Sequence, residues 1–309
     1  MWQKLATLGL ALAWDRWLGE PPSKIHPVTW MGRLSERILG GPATGDERAD
    51  YDRGVKAAVG VPLATMAATV LAARMFRGLG TIPGLIGGAF LLKSSFAITG
   101  MTREAENVEM ALARNDLDEA RGAVGKIVSR DVSTLDESGV ASAAIGSVAE
   151  NVTDSVVGPM LMYGMFGLPA AMAYRAVDTL DSMIGYHGDN EHLGKAAARI
   201  DDVVGYVPAR VAGGAIVVSA AMQEDCDAWR AAGTMIMEHG HTQSPNGGWP
   251  IGATAGALGV EVEKVGYYRL GPSGVRASHR DVRRSVKLFN GAAAVATVLA
   301  FGLIVSRRR

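Results

Sequence analysis

Cysteine is almost absent from this sequence, which contains one, Cys226, among 309 residues. A single cysteine excludes an internal disulfide and a metal site built from several thiolates. Its neighbours in QEDCDAW are acidic and disfavour the thiolate form, so we expect no nucleophilic role for it. Net charge is absent too, because 31 basic residues balance 31 acidic ones. Nothing in the bulk charge therefore favours nucleic acid as a partner.

The common motifs of nucleotide-binding and hydrolytic enzymes are also missing. The nearest approach to a P-loop, AVGKIVS, lacks the first glycine and the hydroxyl residue that should follow the lysine. There is no G-x-S-x-G, no H-E-x-x-H and no dinucleotide fingerprint after a strand, and strand signals are almost absent. Any nucleotide bound by this chain must be held without a standard loop.

Long uncharged runs are what the sequence has instead. Hydrophobic residues make up 48% of the chain, and its 39 glycines suit close packing of helices in lipid. A membrane-spanning helix needs about 20 mainly apolar residues. We therefore predict one all-α domain over 1–309, a polytopic integral membrane helical bundle with embedded segments near 5–18, 57–73, 78–92, 155–174, 203–222 and 288–306. The alternative is a soluble all-helical protein with a large apolar interior, since several runs are short and glycine-rich.

The run from Ser155 to Tyr174 is the longest without a formal charge, and carboxylates flank both of its ends. Gly158-Pro159 and Pro169 lie within it, and both residue types disfavour one straight helix. Irregular backbone at membrane depth is tolerated only where it is buried in protein or lines a cavity. We therefore predict a broken or re-entrant segment whose two polar ends meet at one membrane surface.

The charged stretches between the runs predict extramembrane helical loops. Residues 101–130 have helical periodicity with a break at Asn115-Asp116, which predicts two helices in an αα-hairpin. Residues 240–252 are rich in turn formers and predict a loop. His26 lies in a proline-rich loop and is expected to be structural and not catalytic.

Three clusters of acidic residues and arginine adjoin the apolar runs. In the first, Glu150 and Asp154 are four residues apart, so a helix places both on one face. Carboxylate oxygens suit Mg²⁺, and the planar fork of arginine suits phosphate. Each cluster alone is typical of a solvated helix end, but charges beside membrane segments are costly and commonly functional. The other members are Asn151, then Arg175, Asp178 and Asp181, then Arg199, Asp201, Asp202 and Arg210.

Two further segments are open to two interpretations each. Arg130, in RDVSTLD, is either part of a loop ion pair or a phosphate contact. Ser244 and Asn246 lie in a glycine-rich turn, which either presents backbone N–H groups to an anion or is purely structural.

Six segments are recognisable together and occur in this order: DRWLGEPPSKIHPVTWMGRL, ARGAVGKIVSRDVSTLD, AENVTDSVVGPM, YRAVDTLDSMIGY, ARIDDVVGYVPAR and SPNGGWPIGATAGALGV. They closely resemble the adenosylcobinamide-phosphate synthase (CbiB/CobD) family of cobalamin biosynthesis. The resemblance covers essentially the whole chain.

The resemblance implies a multi-pass enzyme of the inner (cytoplasmic) membrane with its active site facing the cytoplasm. It implies a carbon–nitrogen ligase that joins adenosylcobyric acid to (R)-1-aminopropan-2-ol O-phosphate through an amide bond, with Mg²⁺ and with ATP as co-substrate. Ethanolamine phosphate is an open alternative as the amine donor. Besides the lipid bilayer, the expected partners are a second copy of the chain and other late enzymes of the cobalamin pathway, with no nucleic acid.

The resemblance also implies roles for single side chains. Glu150, Asp154 and Asp181 are expected to hold Mg²⁺ and to be catalytic. Asp201 and Asp202 are the next metal candidates, or one of them is the general base that accepts the amine proton. No covalent nucleophile is implied. The expected substrate-binding residues are Arg175, Arg199 and Arg210 for phosphate, Asn151, Thr179, Ser182 and Tyr186 for the corrinoid, Ser244 and Asn246 for substrate or nucleotide, and also Asp178 and Arg130.

Two other classes of protein stay open. A membrane prenyltransferase also binds diphosphate through Mg²⁺ and aspartate pairs, but it requires N-x-x-x-D or D-x-x-x-D, whereas the acidic clusters beside the apolar runs have N-x-x-D and D-x-x-D. A transporter or a non-catalytic corrinoid-binding membrane scaffold would explain the broken segment but not the polar content of 101–138 and 223–287.

Overall fold

The computed structural model describes residues 1–185 and 191–307, and helices make up most of them. The helices up to the middle of the chain are α1 Trp2–Trp17, α2 Pro27–Leu39, α3 Glu47–Gly78, α4 Thr81–Lys93, α5 Ile98–Ala113, α6 Leu117–Val124 and α7 Glu137–Val152. A π-helical turn, Thr153–Val157, follows. The later helices are α8 Gly158–Phe166, α9 Leu168–Ile184, α10 Glu191–Ala221, α11 Ala228–Glu238, α12 Gly248–Leu258 and α13 His279–Ser306.

The prediction of an all-α fold is confirmed. The described residues contain one small sheet, an antiparallel hairpin of β1 (Val262–Lys264) and β2 (Tyr268–Leu270) with Val262 opposite Leu270. A short 3₁₀ turn, His239–His241, follows α11. The loop predicted over 240–252 is therefore right up to residue 247, and α12 begins at Gly248.

Four helical segments of the described chain are long and apolar enough to cross a membrane: Glu47–Gly78, Thr81–Ala113, Glu191–Ala221 and His279–Ser306. The second combines α4 and α5 across a short turn. They contain or overlap the segments predicted at 57–73, 78–92, 203–222 and 288–306. The embedded segments at 5–18 and 155–174 stay predictions.

The chain divides into two compact units. The first comprises Met1–Ala97, Gly158–Gly205 and Leu299–Arg309, and the second comprises Ile98–Val157 and Tyr206–Val298. In the first unit, α3 packs on α2, α4 and α9, and α1 packs on α4. Close approach of the backbone depends on glycine there, because a Cβ at Gly194 would collide with the carbonyl of Ile184. The end of α9 is thereby held against the start of α10.

The apolar run after Asp154 is broken, as predicted. Helix α8 ends at Phe166, Gly167 adopts φ +92°, and α9 begins at Leu168 with proline in its first turn. Gly158 packs on the ring of Tyr174, where any side chain would collide. Helix α8 thus folds back along α9. The meeting of the two polar ends at one membrane surface stays a prediction.

The second unit is built on α7 and on two helix pairs. Helices α5 and α6 pack as the predicted αα-hairpin; Asn115 takes a left-handed conformation with φ 57°, and Asp116 caps α6 by accepting from Glu119 N at 2.9 Å. Helices α11 and α12 lie close together, since a Cβ at Gly256 would lie 2.9 Å from the Cα of Ala231. The β-hairpin packs on α7.

Candidate functional site

The predicted site residues fall into a group in each unit. In the first unit, the C-terminal half of α9 and the N-terminal half of α10 carry Arg175, Asp178, Thr179, Asp181, Ser182, Arg199, Asp201 and Asp202. In the second unit lie Arg130, Glu150, Asn151, Asp154, Arg210, Ser244 and Asn246. Tyr186 lies outside the described residues. The three predicted metal ligands are therefore divided, with Asp181 in the first unit and Glu150 and Asp154 in the second.

Asp178, Asp181, Asp201 and Asp202 form what we call the aspartate cluster. Arg175 Nη1 pairs with Asp178 Oδ2 at 2.8 Å, one turn apart on α9. The hydroxyl of Thr179 donates to the carbonyl of Arg175 at 2.7 Å, so it is engaged by the helix backbone. Arg175 therefore places a positive charge directly beside the cluster.

The acidic side chains of the cluster raise one another's proton affinity. Burial, together with the negative charges of Asp178 and Asp202, raises the pKa of Asp181 to about 6. Burial also raises the pKa of Asp178, although the charge of Arg175 opposes the shift. Asp181 Oδ1 is buried and has no hydrogen-bond partner among the described residues. An unpaired buried oxygen among repelling carboxylates favours a cation as its partner.

The donor chemistry of the aspartate cluster fits Mg²⁺ held jointly with a phosphate. Within residues 1–185 and 191–307, no three acidic, histidine or cysteine side chains are grouped closely enough to hold a metal ion by themselves. Mg²⁺ seldom needs such a group, because it keeps several waters and is held by one or two carboxylates plus substrate phosphates. Asp181 and one neighbouring aspartate would suffice for this mode of binding.

A stripe along α7 organises the group in the second unit. Ser142, Gly146 and Glu150 are spaced by four residues and so lie on one face of the helix. Glu263 N donates to the hydroxyl of Ser142 at 2.7 Å, which pins β1 to the helix. Gly146 leaves room for Tyr268, whose hydroxyl would lie 3.4 Å from a Cβ at that position. The hairpin therefore follows the stripe towards Glu150.

Glu150 lies among cations and beside the glycine-rich turn. Burial raises the pKa of its carboxyl group, although the positive charges of Lys264 and Arg130 oppose the shift. Its Oε1 would lie 3.5 Å from a Cβ at Gly247. Burial and the charge of Glu150 also raise the pKa of Tyr268. Glu150, Arg130, Lys264 and Tyr268, which we call the Glu150 cluster, therefore combine one carboxylate, two cations and a phenol.

The helix that carries Glu150 widens directly after it. Asn151 Nδ2 donates to the carbonyl of Ser147 at 2.9 Å, and Asn151 Oδ1 accepts from the hydroxyl of Ser155 at 2.7 Å. These bonds bracket the π-helical turn that contains Asp154. Turns of this kind are frequent at functional sites because they redirect side chains out of the regular helix pattern.

Arg210 and the turn at 244–247 are joined in the second unit. Arg210 Nη1 donates to Asn246 Oδ1 at 2.9 Å, and Nη2 donates to the carbonyl of Pro245 at 3.3 Å. The guanidinium also lies over the rings of Tyr206 and Trp249, with its carbon 3.5 Å and 4.8 Å from their centres. Arg210 therefore faces protein, as required for the segment 203–222 to be one helix, and it shapes the turn.

Lys264 and Tyr268 were not among the predicted site residues, and the sequence signal for them is the short apolar–polar alternation around them. A buried charge network in the first unit was not predicted either. The side chain of Lys93 is fully buried, and its Nζ lies 3.1 Å from Asp15 Oδ1 and 2.7 Å from Glu20 Oε1. His26 Nε2 lies 3.2 Å from Glu20 Oε2, and its Nδ1 accepts from Val28 N to cap α2. His26 therefore has a structural role in the cap of α2, and the expectation that it is not catalytic stays a prediction.

These features define a helical protein with four membrane-length segments and with clustered carboxylates at the end of α9. The family model of the CobD/Cbib protein matches residues 8–289. The chain is 35% identical to the cobalamin biosynthesis protein CobD of Dehalococcoides mccartyi, covering 97% of both chains. It is 37% identical to the probable cobalamin biosynthesis protein CobD of Thermococcus kodakarensis, covering 91% of this chain and 89% of that one. No solved structure matches significantly.

The chain belongs to the CobD/CbiB family of cobalamin biosynthesis proteins. The family match includes every predicted site residue, from Arg130 to Asn246.

Proposed function

We propose that this protein is an adenosylcobinamide-phosphate synthase, a carbon–nitrogen ligase that joins adenosylcobyric acid to (R)-1-aminopropan-2-ol O-phosphate. Its membership of a cobalamin biosynthesis family supports the pathway. The observation that carries the reaction is the aspartate cluster beside Arg175, where the buried Oδ1 of Asp181 has no partner among the described residues. Such a group suits the phosphates of ATP and of the amine donor, bound with Mg²⁺.

The chemistry requires activation of a carboxylate, which is a poor electrophile at neutral pH. Transfer of the terminal phosphoryl group of ATP to a carboxylate oxygen gives an acyl phosphate and ADP. The amine nitrogen then attacks the carbonyl carbon, loses a proton, and inorganic phosphate leaves as the amide bond forms. Much of the acceleration comes from holding the reactants together and from neutralising phosphate charge.

The side chains of the first unit would have three roles in this reaction. Asp181 and a neighbouring aspartate would hold Mg²⁺, which supplies charge neutralisation when bound. Arg175 and Arg199 would bind phosphate oxygens. Asp201 or Asp202 would accept the proton of the attacking amine, since a carboxylate among other carboxylates binds a proton more readily than usual.

The remaining predicted residues keep their proposed roles as substrate contacts, each within its own unit. Arg130 and Lys264 place two positive charges beside Glu150, an arrangement that suits an anionic group held together with a metal ion. Asn151, Thr179, Ser182 and Tyr186 remain the proposed contacts of the corrinoid, and Ser244 and Asn246 those of substrate or nucleotide. The contacts of Arg210 support a role in fixing the turn that carries Asn246.

We further propose a multi-pass protein of the cytoplasmic membrane whose site faces the cytoplasm, where ATP is available. The four membrane-length segments support membrane insertion. A homodimer and association with other late enzymes of the cobalamin pathway belong to the same proposal.

The test is an assay of the purified protein in detergent with adenosylcobyric acid, Mg²⁺, ATP and either aminopropanol phosphate or ethanolamine phosphate. Mass spectrometry would detect the amide, and the two amines in parallel would identify the donor. Asp181→Asn should lower the rate by at least about a hundredfold, the ordinary loss when a group that stabilises transition-state charge is removed. Asp52→Asn, an exposed aspartate of the same unit, is the matched control and should keep full activity.

Each outcome decides between interpretations. Amide formed by the wild type and by Asp52→Asn but not by folded Asp181→Asn supports the ligase and its site. Amide formed at an undiminished rate by Asp181→Asn would retain the reaction and refute the site. Binding of adenosylcobyric acid without amide formation would favour a corrinoid-binding scaffold.

A further inference from the structure

A cavity of about 380 Å³ opens in the first unit, and none of the aspartate cluster lines it. Its walls come from α1, the end of α3, the start of α4 and the junction of α8 with α9. The junction is about 20 Å from Asp181 along α9, at 1.5 Å per residue. The cavity has the size of a small-molecule site and lies outside the region assigned to the ligase reaction.

The charge of the cavity is of one sign. Lys4 and Arg77 line it, and no aspartate or glutamate among the described residues does. Arg77 Nε donates to the carbonyl of Ala73 at 3.0 Å, and its stem packs along Gly84, which lays the side chain against α4. Neither cation forms an ion pair with a carboxylate within residues 1–185 and 191–307. Both charges are therefore available to an anion.

The position of Lys4 is fixed by the broken segment. The hydroxyl of Tyr163 donates to the carbonyl of Lys4 at 3.0 Å, which ties α1 to α8. Lys4 Nζ would lie 3.8 Å from a Cβ at Gly167, the residue at the break. Two helices begin at the cavity, α4 after Gly80 and α9 after Gly167, and neither has a side-chain cap. Their free N–H groups add to the positive potential.

The surroundings of the cavity are those of a membrane surface. Arg77 is next to the last residue of one membrane-length segment, and Thr81 is the first residue of the next. The large apolar side chains nearby are exposed, Met75 by 72%, Leu79 by 73% and Phe166 by 63%. Large apolar side chains that are exposed side by side indicate a surface in contact with lipid. A cation at the end of a span lies at the level of the lipid phosphates.

We propose that this cavity binds one anionic phospholipid, with its phosphate at Lys4 and Arg77. The apolar side chains of Val70, Leu85 and Leu168 continue the wall beside the cations and would receive the start of an acyl chain. Free phosphate has no apolar part and would make no use of these apolar side chains. Basic pockets between membrane helices are a recognised form of headgroup site, and the opposite charge of lipid and pocket supplies specificity.

The experiment counts bound lipids on the full-length protein in neutral detergent by native mass spectrometry, titrating phosphatidylglycerol or phosphatidylcholine. Wild type should retain one phosphatidylglycerol with clear preference over phosphatidylcholine. Lys4→Gln/Arg77→Gln should weaken that binding about thirtyfold, from the contribution of two interfacial cations. Lys56→Gln/Arg74→Gln removes the same two charge types from exposed positions on α3 outside the cavity and should bind as the wild type does. Lys4→Arg/Arg77→Lys keeps both charges and should retain the lipid.

Three results would overturn the proposal. The first is equal retention of phosphatidylglycerol by the glutamine variant and the wild type, with both folded by circular dichroism. The second is equal affinity for phosphatidylglycerol and phosphatidylcholine. The third is displacement of the lipid by millimolar inorganic phosphate, which would assign the cations to a free anion. Because the readout is a lipid count, it is independent of amide formation.

Discussion

Replacing Lys93 with methionine should cause a large loss of stability, because it removes the cation that pairs with the buried carboxylate of Asp15. The lysine side chain is 0% exposed, and that of Asp15, 3.1 Å from its Nζ, is 4% exposed. Methionine has nearly the same length and no charge. The substitution therefore removes the interaction with little change in packing.

The magnitude follows from the exposure of each partner. Removing one member of a buried ion pair costs about 3–5 kcal/mol, because the other charge stays buried and unpaired. Asp15 stays buried and loses its ion pair with Lys93. Glu20 is 38% exposed and can be hydrated, so its share should be under about 1 kcal/mol. The carbonyl of Phe96 loses a donor at 3.0 Å as well. We expect a total of about 3–5 kcal/mol, most of it from Asp15.

The assay is equilibrium unfolding in mixed micelles, followed by tryptophan fluorescence. Trp14 is one useful reporter, since it is adjacent to Asp15 and its ring lies 5.7 Å from that of Phe90. Lys93→Met/Asp15→Asn should recover most of the lost stability, because the buried negative charge of Asp15 is then removed as well. Lys24→Met, at an exposed lysine of the loop after α1, is the control. A stable single variant, or a double variant no better than the single one, would refute the reasoning.

Three further predictions concern pH and glycine. Burial acts to raise the pKa of Glu20, but hydrogen bonding and charge from His26 and Lys93 outweigh it and hold that pKa below 4.5. The ionised carboxylate therefore stabilises the fold above pH 4.5, and this stabilisation is lost as the pH falls below that value. The free energy of unfolding, measured from about pH 7 to about pH 3, should depend less on pH in Glu20→Gln. Gly194→Ala should destabilise the protein by about 1–3 kcal/mol through collision of its Cβ with a backbone carbonyl, measured by unfolding. Gly146→Val should displace Tyr268 and lower the rate of amide formation, while the protein stays folded in the same unfolding measurement.

Gly214 provides the control for the substitution of Gly194. It lies on α10, as Gly194 does, and a Cβ there meets no atom within 4 Å. Gly214→Ala should therefore be neutral or stabilising, since alanine favours a helix over glycine by about 1 kcal/mol. A loss at Gly214 as large as that at Gly194 would contradict the steric argument. Amide formation at the wild-type rate in Gly146→Val would exclude a role for the position of the hairpin.

The sequence predicted those features that depend on neighbours along the chain. The break at Gly167 follows from a glycine and a proline inside an apolar run, and the αα-hairpin follows from Asn115-Asp116 between two amphipathic stretches. Asp178 and Asp181 on α9 follow from their spacing of three. In each case the local chemistry of the backbone or the helix period determines the result.

Contacts between distant residues could not be predicted in the same way. Lys93 is 73 residues from Glu20, and Ser142 is 121 residues from Glu263. In both pairs, the residues around one partner contain no sequence pattern that indicates the other partner. Arg210 is predicted to bind phosphate, and that role stays a prediction; its bonds to Asn246 and to the carbonyl of Pro245 could not be predicted from the residue type. A residue type indicates which interactions are available, whereas the fold decides which are made.

The stripe on α7 has a consequence for how this family can change in length. Ser142, Gly146 and Glu150 each meet a different part of the following chain, namely β1, Tyr268 and the turn at Gly247. One residue inserted between the first and the last would rotate everything after it by about 100°. The contacts on the two sides of the insertion could then not form together, and the one between Glu150, the candidate metal ligand, and the turn at Gly247 is among them. Insertions and deletions in related chains should therefore fall before Ser142 or after the π-helical turn. Substitutions between these points leave the four-residue spacing unchanged and are not restricted in this way.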